Sequence, residues 1–378
     1  MATSSPEDPE FRRFVEYLQR SLVDGAEPLA ENPDELRNWI HVSRKKLERL
    51  AAAGTAVPSA LVDEYTRLAN NFAPETALDS FHARHIFEPV VAEVTQVCNE
   101  LRLGPARPVR LINSPAVTPS ALAWPTSDSG TDHLLFVGVA TSAFCNYWGK
   151  AFADLLATLS AKAAPQRLFD VDCRALIRSN MQLLALPIRL SVFFAFHDTL
   201  AGFGSVIQKS PAVGYRIELV HAMEVFVVAH EFGHFILEER TGVVSSSQSR
   251  AMAEERQADA LAFAITRHVG SQTNNWHAFS GAAAVAFFCA LDICERARAI
   301  CTTQSSHSDT HPPSRQRLSA MRKMISDCTH KDEVSRVSEY IEEVEAALNA
   351  LTLELVSEIE LLSNSLNLEA TPTDTTAV

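Results

Sequence analysis

The sequence predicts a mainly helical α+β fold with a small mixed sheet, a helical N-terminal region and a long C-terminal helix. Apolar residues recur at helical spacing over most of the chain, which favours amphipathic helices. Two short apolar runs, at residues 109–112 and 133–140, are typical of strands, and a connection rich in proline, serine and glycine separates them. A hydrophobic content of 47% over 378 residues is enough to form a substantial core.

The elements divide the chain into three predicted parts. Residues 1–80 form a helical N-terminal region, in which Asn32 followed by Pro33 marks the start of a second helix. Residues 81–335 form the main domain, and residues 336–378 form a C-terminal helix with a disordered tail. Within the main domain, we expect helices over residues 88–101, 141–161, 216–239, 252–269 and 276–297.

Two segments fit more than one structure. Residues 186–196 suit either a strand or a buried helix, because a short apolar run does not separate the two. Near the C-terminus, apolar residues from Val337 to Leu355 lie alternately four and three apart, a spacing typical of a coiled-coil seam. This seam fits either a helix packed on its own domain or a helix through which two copies form a homodimer.

Charge and composition exclude several classes of function. The net charge of −13 argues against binding to a nucleic-acid backbone, and the basic residues near Arg44 are expected to form a solvated face. The seven cysteines are widely spaced without a C-x-x-C pair, which is typical of reduced thiols in the cytosol. The polar, acidic N-terminus lacks the features of a signal peptide, and no uninterrupted apolar run reaches the roughly 20 residues that span a bilayer. We therefore expect a soluble cytoplasmic protein with no membrane span.

The pattern H-E-x-x-H occurs at residues 230–234, in a run that is otherwise apolar on all sides. His230 and His234 lie one turn apart on the same face of the predicted helix, so that both imidazoles can bind one zinc ion. Zinc lowers the pKa of a bound water to about 7, and the adjacent Glu231 is suited to act as its general base. Buried histidines held by ordinary core hydrogen bonds are the alternative interpretation.

The third ligand is expected on the following helix. Leu237 and Arg240 stand where the metzincin pattern needs glycine and histidine, which excludes that class. Glu255 can complete a set of two histidines and one glutamate, with Glu254 as the second choice. Asp259 lies one turn further on and can accept the free ring N–H of a zinc-binding histidine.

H-E-F-G-H followed by E-R-Q-A-D resembles the M48-type gluzincin zinc peptidases. The segment 310–317, Thr-His-Pro-Pro-Ser-Arg-Gln-Arg, resembles a further conserved segment of that family. The resemblance implies a zincin-like peptidase core in which a short mixed sheet flanks two zinc helices, with one zinc per chain. It also implies that His311 and Arg317 lie near the active site. On the same ground, we expect strand 133–140 to be the sheet edge that binds an extended peptide, and an ordinary internal strand is the alternative.

His311 and Arg317 have different expected roles. His311 fits either stabilisation of the oxyanion and contact with the substrate or a loop histidine held by Pro312. Arg317 is expected to pair with an acidic residue such as Asp259 as a brace.

The sequence thus predicts a zinc-dependent endopeptidase that acts on protein or peptide substrates. The alternative is a protein that binds zinc without catalysis and serves in regulation or interaction. Retention of Glu231 favours the enzyme, because zinc binding alone does not need that carboxylate.

Overall fold

The protein is mainly helical, with one small mixed sheet. A computed structural model describes residues 9–23, 63, 66–67, 69–72, 74–119, 121–124, 132–164, 166–204, 212–241, 248–302, 311–328 and 334–369. The helix expected after Pro33 and the basic residues near Arg44 lie outside these ranges, and so does most of the 1–80 region.

The sheet has three strands in the order β1–β3–β2: β1 (Val109–Asn113), β2 (Leu122–Trp124) and β3 (His133–Val137). Strands β1 and β3 are parallel, while β2 runs antiparallel to β3 with Ala123 opposite Leu135. The expectation that strand 133–140 forms the sheet edge is therefore wrong, because β3 is central and β2 covers its second side. Strand β2 has only three residues, too few to show a periodic pattern in the sequence.

The helices follow the expected order. They are α1 (Pro9–Ser21), α2 (Phe81–Glu100), α3 (Val139–Ala163), α4 (Cys173–Arg178), α5 (Gln182–His197), α6 (Val213–Thr241), α7 (Gln248–Thr273), α8 (Trp276–Ser280), α9 (Ala282–Thr302), α10 (Ser314–Cys328) and α11 (Val334–Glu369). The ambiguous run at residues 186–196 is the helix α5. The helix expected over residues 276–297 is two helices, because Gly281 takes a φ of +87° and ends α8.

Helix α6 is the centre of the fold, and α2, α3, α7, α8 and α9 all pack on it. It is buried on nearly every side because its sequence is apolar around its whole circumference. Among the described helices, α6 is the one that is long and apolar enough to cross a membrane. However, 83% of the apolar stretch that meets this criterion is buried inside the protein. This burial is consistent with the core helix of a soluble protein.

The N-terminal helix α1 packs on the sheet. Val15 and Leu18 contact an apolar patch that includes Ile112, Leu134 and Phe136. The buried Gln19 donates a hydrogen bond from its side chain to the backbone carbonyl of Asn113 at 2.9 Å. Helix α1 is thus continuous with the main domain in space, while the boundary at residue 80 stays a prediction.

The seam of α11 faces the protein's own core. Its apolar residues Val337, Ile341, Val344, Leu348, Leu351 and Leu355 are all buried. The helix packs on α4, α5 and α9 of the same chain, and Glu354 accepts hydrogen bonds from Arg174 and Arg178 of α4. A homodimer through this helix stays a prediction, and its contact would need outward residues such as Leu361, which is 58% exposed.

Candidate metal centre

The two central helices of the site are held unusually close together. At Gly233 of α6, an added Cβ would lie 2.9 Å from the Cα of Ala258 and 3.1 Å from its carbonyl oxygen. Only glycine fits at such a contact between backbones. This approach brings the acidic residues of α7 against the histidines of α6.

His230, His234 and Glu255 converge on one point. The Nε2 atoms of the two histidines are 3.2 Å apart, and each lies 3.4 Å from a carboxylate oxygen of Glu255. They are the one group of three potential metal ligands found in the part of the chain that the structure describes. A metal ion can therefore bind to this group, as the sequence predicts.

The spacing of these atoms fits a tetrahedral ion. Ligands about 2.0–2.2 Å from a tetrahedral zinc are separated from one another by about 3.3–3.6 Å. The two histidine nitrogens are 3.2 Å apart, close to this range, and Glu255 lies 3.4 Å from His230 through Oε2 and 3.4 Å from His234 through Oε1. In addition, Glu255 Oε2 is buried and has no hydrogen-bond partner, which suits an oxygen that binds a metal.

Each histidine presents its second ring nitrogen to a carboxylate. His230 Nδ1 lies 3.0 Å from Asp259 Oδ1, and His234 Nδ1 lies 3.3 Å from Glu254 Oε1. Such contacts fix the tautomer that leaves Nε2 free to bind a metal. Glu254, the second choice for third ligand, therefore lies behind His234 rather than beside Glu255.

Arg317 braces the carboxylate behind His230. Its Nε and Nη2 atoms donate to both oxygens of Asp259 at 3.0 and 2.6 Å, and its guanidinium lies 4.6 Å from the centre of the Phe288 ring. The planar guanidinium group of an arginine donates two hydrogen bonds to one carboxylate and so holds that carboxylate in a fixed orientation. The structure therefore brings Arg317 to the acid that the sequence suggested.

The charges favour a cation at the centre. Burial lowers the pKa of His230, but its hydrogen bonds to Asp259 and Glu255 outweigh burial and raise that pKa to about 9. Burial alone raises the pKa of Glu255, yet its contacts with the two histidines hold that pKa far below its usual range. The first shift favours positive charge on His230 and the second keeps Glu255 negatively charged, so the carboxylate is present in the form that can bind a cation.

Glu231 lies beside the histidines and against the sheet edge. Its Oε2 accepts the backbone N–H of Ala123 on β2 at 2.7 Å. It lines two cavities, which also share Ala121. His311 also lines both cavities and lies 3.3 Å from Glu255 with half of its side chain exposed. All seven residues singled out in the sequence thus meet in one region.

Two features of the site had no signal in the sequence. The contact with Ala123 depends on the short strand β2, which only its pairing with β3 identifies. One of the two cavities gathers residues from α6, α9 and the segment before β2, and that segment lies more than a hundred positions from the α6 residues. Tertiary packing alone brings such residues together.

Comparison with known proteins supports a peptidase. A family model described as Peptidase U49 matches residues 217–338, about a third of the chain. This range contains all seven residues of the site, all of α7, and α6 from residue 217 onward. Comparisons with curated proteins and with solved structures found no match. The matched family suggests peptidase activity, and the His/Glu group fits a metallopeptidase.

Proposed function

We propose that this chain is a zinc-dependent endopeptidase with a zincin-like core, similar to the M48-type gluzincins. The convergence of His230, His234 and Glu255 carries this proposal, because their nitrogen and carboxylate oxygen atoms approach one another within 3.2–3.4 Å, close to the separations around a tetrahedral ion. Two imidazoles and one carboxylate favour zinc among the common divalent ions. When bound, zinc would lower the pKa of a water to about 7 and polarise the carbonyl of the scissile bond.

Glu231 is the general base in this proposal. Its carboxylate takes the proton of the attacking water and then passes it to the leaving amine. The hydrogen bond from Ala123 N–H supports this role, because it fixes the carboxylate between the histidines and the sheet edge. A positioned base of this kind contributes roughly 10²- to 10⁴-fold in rate.

The neighbouring residues orient the site. Asp259 and Arg317 hold His230 in the tautomer that can bind the ion, and Glu254 does the same for His234. His311 lies at the mouth of both cavities, which supports contact with the substrate carbonyl.

The cleft suits a polypeptide rather than a chain end. Two cavities share Glu231 as a lining residue, so that more than one residue of a substrate can contact the protein beside the bond that is cut. Within the described part of the chain, β3 is the one strand that pairs with β2, and the N–H of Ala123 on β2 is bonded to Glu231. We place this activity in the cytoplasm on the composition of the chain, and its substrate is a protein or peptide.

The first test combines metal content with a single substitution. We expect the purified protein to hold one zinc per chain and to cleave an unfolded protein substrate. Glu231→Gln should keep the zinc and lose activity by at least about 100-fold. Glu218→Gln is the matched control, because Glu218 is exposed on the same helix and far from the histidines in sequence. Zinc binding without any proteolysis in the wild type would favour the non-catalytic alternative.

A further inference from the structure

A third cavity lies between α7 and α10 and encloses about 690 Å³. Four of its lining residues, Gln316, Ala320, Lys323 and Asp327, are three or four positions apart, which places them along one face of α10. From the first to the last of them the helix rises by about 16 Å, the length of about five residues of an extended peptide. This cavity, here called the basic groove, is therefore long enough to hold a segment of a polypeptide.

The basic groove adjoins the metal centre. Pro312 and Arg317 line both the groove and the cavity that also contains His230 and Glu231. Arg317 is buried between the two, where it donates to both oxygens of Asp259. A polypeptide bound beside the general base can therefore continue past Pro312 into the groove.

Two cations of the basic groove have no partner. Arg256 of α7 and Lys323 of α10 are both exposed, and neither forms an ion pair, a hydrogen bond or a ring contact within the described part of the chain. Arg317 differs from them, because Asp259 already pairs with its guanidinium. Among the described residues that line the groove, Asp327 is the one acidic residue. The groove thus presents two free positive charges in a chain whose net charge is −13.

These two charges single out one place for an acidic side chain. Because the chain as a whole is acidic, an acidic segment gains attraction only where cations are locally in excess. Next to the metal ligands, the carboxylates of Glu231 and Glu254 would repel such a side chain. In the basic groove the same side chain meets Arg256 and Lys323 instead.

Building on the proposed peptidase function, we propose that the basic groove is an exosite that binds acidic residues of the substrate at a distance from the scissile bond. Arg256 and Lys323 contact the aspartate or glutamate side chains. Between Arg317 and Lys323 the helix rises by about 9 Å, which an extended chain covers in about three residues. The exosite acts on affinity for the substrate, because neither cation belongs to the metal set or the base.

The first test moves a pair of aspartates along an unstructured peptide. The sequence around the cut bond is constant, and the pair stands about two to seven positions away on either side. Asparagine pairs at the same positions are the neutral control. We expect the aspartates to lower KM by about 3- to 25-fold at the best position and to leave kcat nearly unchanged, since each exposed ion pair changes an affinity by up to about 5-fold. Added salt should remove the difference, because it screens exposed charges.

Charge substitutions test the groove itself. Lys323→Glu should abolish the KM advantage of the aspartate peptide and change KM for the asparagine peptide by less than about 2-fold. Arg256→Gln should have a smaller effect in the same direction, and zinc content reports whether it disturbs the neighbouring Glu255. Arg336→Glu is the matched control, because Arg336 is exposed on α11 and lines none of the three cavities.

A binding measurement separates this inference from the proposed function. Fluorescence anisotropy of labelled peptides with zinc-loaded Glu231→Gln should show tighter binding of the aspartate peptide, and the added Lys323→Glu should remove that difference. Such binding without any cleavage by the wild type would remove the proposed function and leave the groove as a site for acidic peptides. Cleavage with equal KM for both peptides would overturn the exosite and leave the peptidase standing. Equal effects of Lys323→Glu and Arg336→Glu would also overturn it, because they would indicate general attraction to the whole surface.

Discussion

Replacing Gly233 with alanine should loosen the metal centre even though alanine favours helix. The new Cβ would lie 2.9 Å from Ala258 Cα, 3.1 Å from its carbonyl oxygen and 3.2 Å from its Cβ. These are atoms of the α7 backbone or fixed to it, so no rotation of a side chain relieves the contact. Helices α6 and α7 must separate by about half an ångström to restore an ordinary contact distance.

The expected magnitude follows from two opposing effects. Alanine in place of glycine inside a helix stabilises a protein by about 0.5–1 kcal/mol. Overpacking of a tight interface costs about 1–3 kcal/mol. The free energy of unfolding of the metal-free protein should therefore fall by roughly 0–2 kcal/mol.

The metal centre should respond more strongly than stability. Glu255 and Asp259 lie on either side of Ala258 along α7, so separation of the helices moves the carboxylate of Glu255 away from both histidines. Zinc tolerates little change in its ligand distances, and loss of supporting contacts typically costs 10- to 100-fold in affinity. We expect at least about a 10-fold weaker zinc affinity in Gly233→Ala.

Competition with a chromophoric chelator measures the zinc affinity, and thermal unfolding in excess chelator measures stability. Gly214→Ala is the matched control, because Gly214 lies on the same helix and a Cβ there would meet nothing within 4 Å. That variant should bind zinc as the wild type does. A Gly233→Ala protein that gained stability and kept its zinc affinity would refute the argument that this contact sets the separation of α6 and α7.

Three further changes test the surroundings of the site. Glu255→Ala should reduce zinc from about one per chain to a small fraction, as metal analysis after dialysis can show, because two imidazoles alone make an incomplete set. Arg317→Lys removes the fork that holds Asp259 and should weaken zinc affinity about 10-fold, while unchanged affinity would mean that the brace does not support the ligand. Burial raises the pKa of Glu224 to about 8, so the folded protein keeps a proton that the unfolded chain releases, and stability should fall as pH rises from about 5 to 8. Urea unfolding of the metal-free protein should show this fall, and Glu224→Gln should remove the part of it that this carboxyl causes.

The sequence predicts the two metal helices well because their signals are local. The apolar run before His230 and the four-residue spacings require only helix geometry, which neighbouring residues determine. For α5, the local pattern is compatible with both a strand and a helix. The structure has a helix there, which packs on α9. The sequence does not predict the break at Gly281, because a glycine within an apolar run can continue a helix or end it.

The strand order could not be predicted for a different physical reason. Strand β3 is apolar after His133 and fully buried, a pattern that a central strand and a covered edge strand share. The pairing of β2 with β3 decides which strands lie at the edges of the sheet. Strand β2 has three residues, too few for a periodic signal in the sequence. The contact of Glu231 with Ala123 depends on that pairing, because Ala123 lies on β2.

Burying the polar and charged groups of this site without a metal ion would cost free energy. His230 and Glu231 are each only 7% exposed within a helix that is otherwise apolar, and Glu255 and Asp259 are buried opposite them. Buried ionic groups rarely add stability compared with apolar residues of similar size, so a helix selected for packing alone would not carry them. Two imidazole nitrogens and a carboxylate that meet within 3.4 Å need a positive charge between them, either protons or a shared cation. A single divalent ion satisfies all three atoms at once and explains why Asp259 and Glu254 take the opposite ring nitrogens.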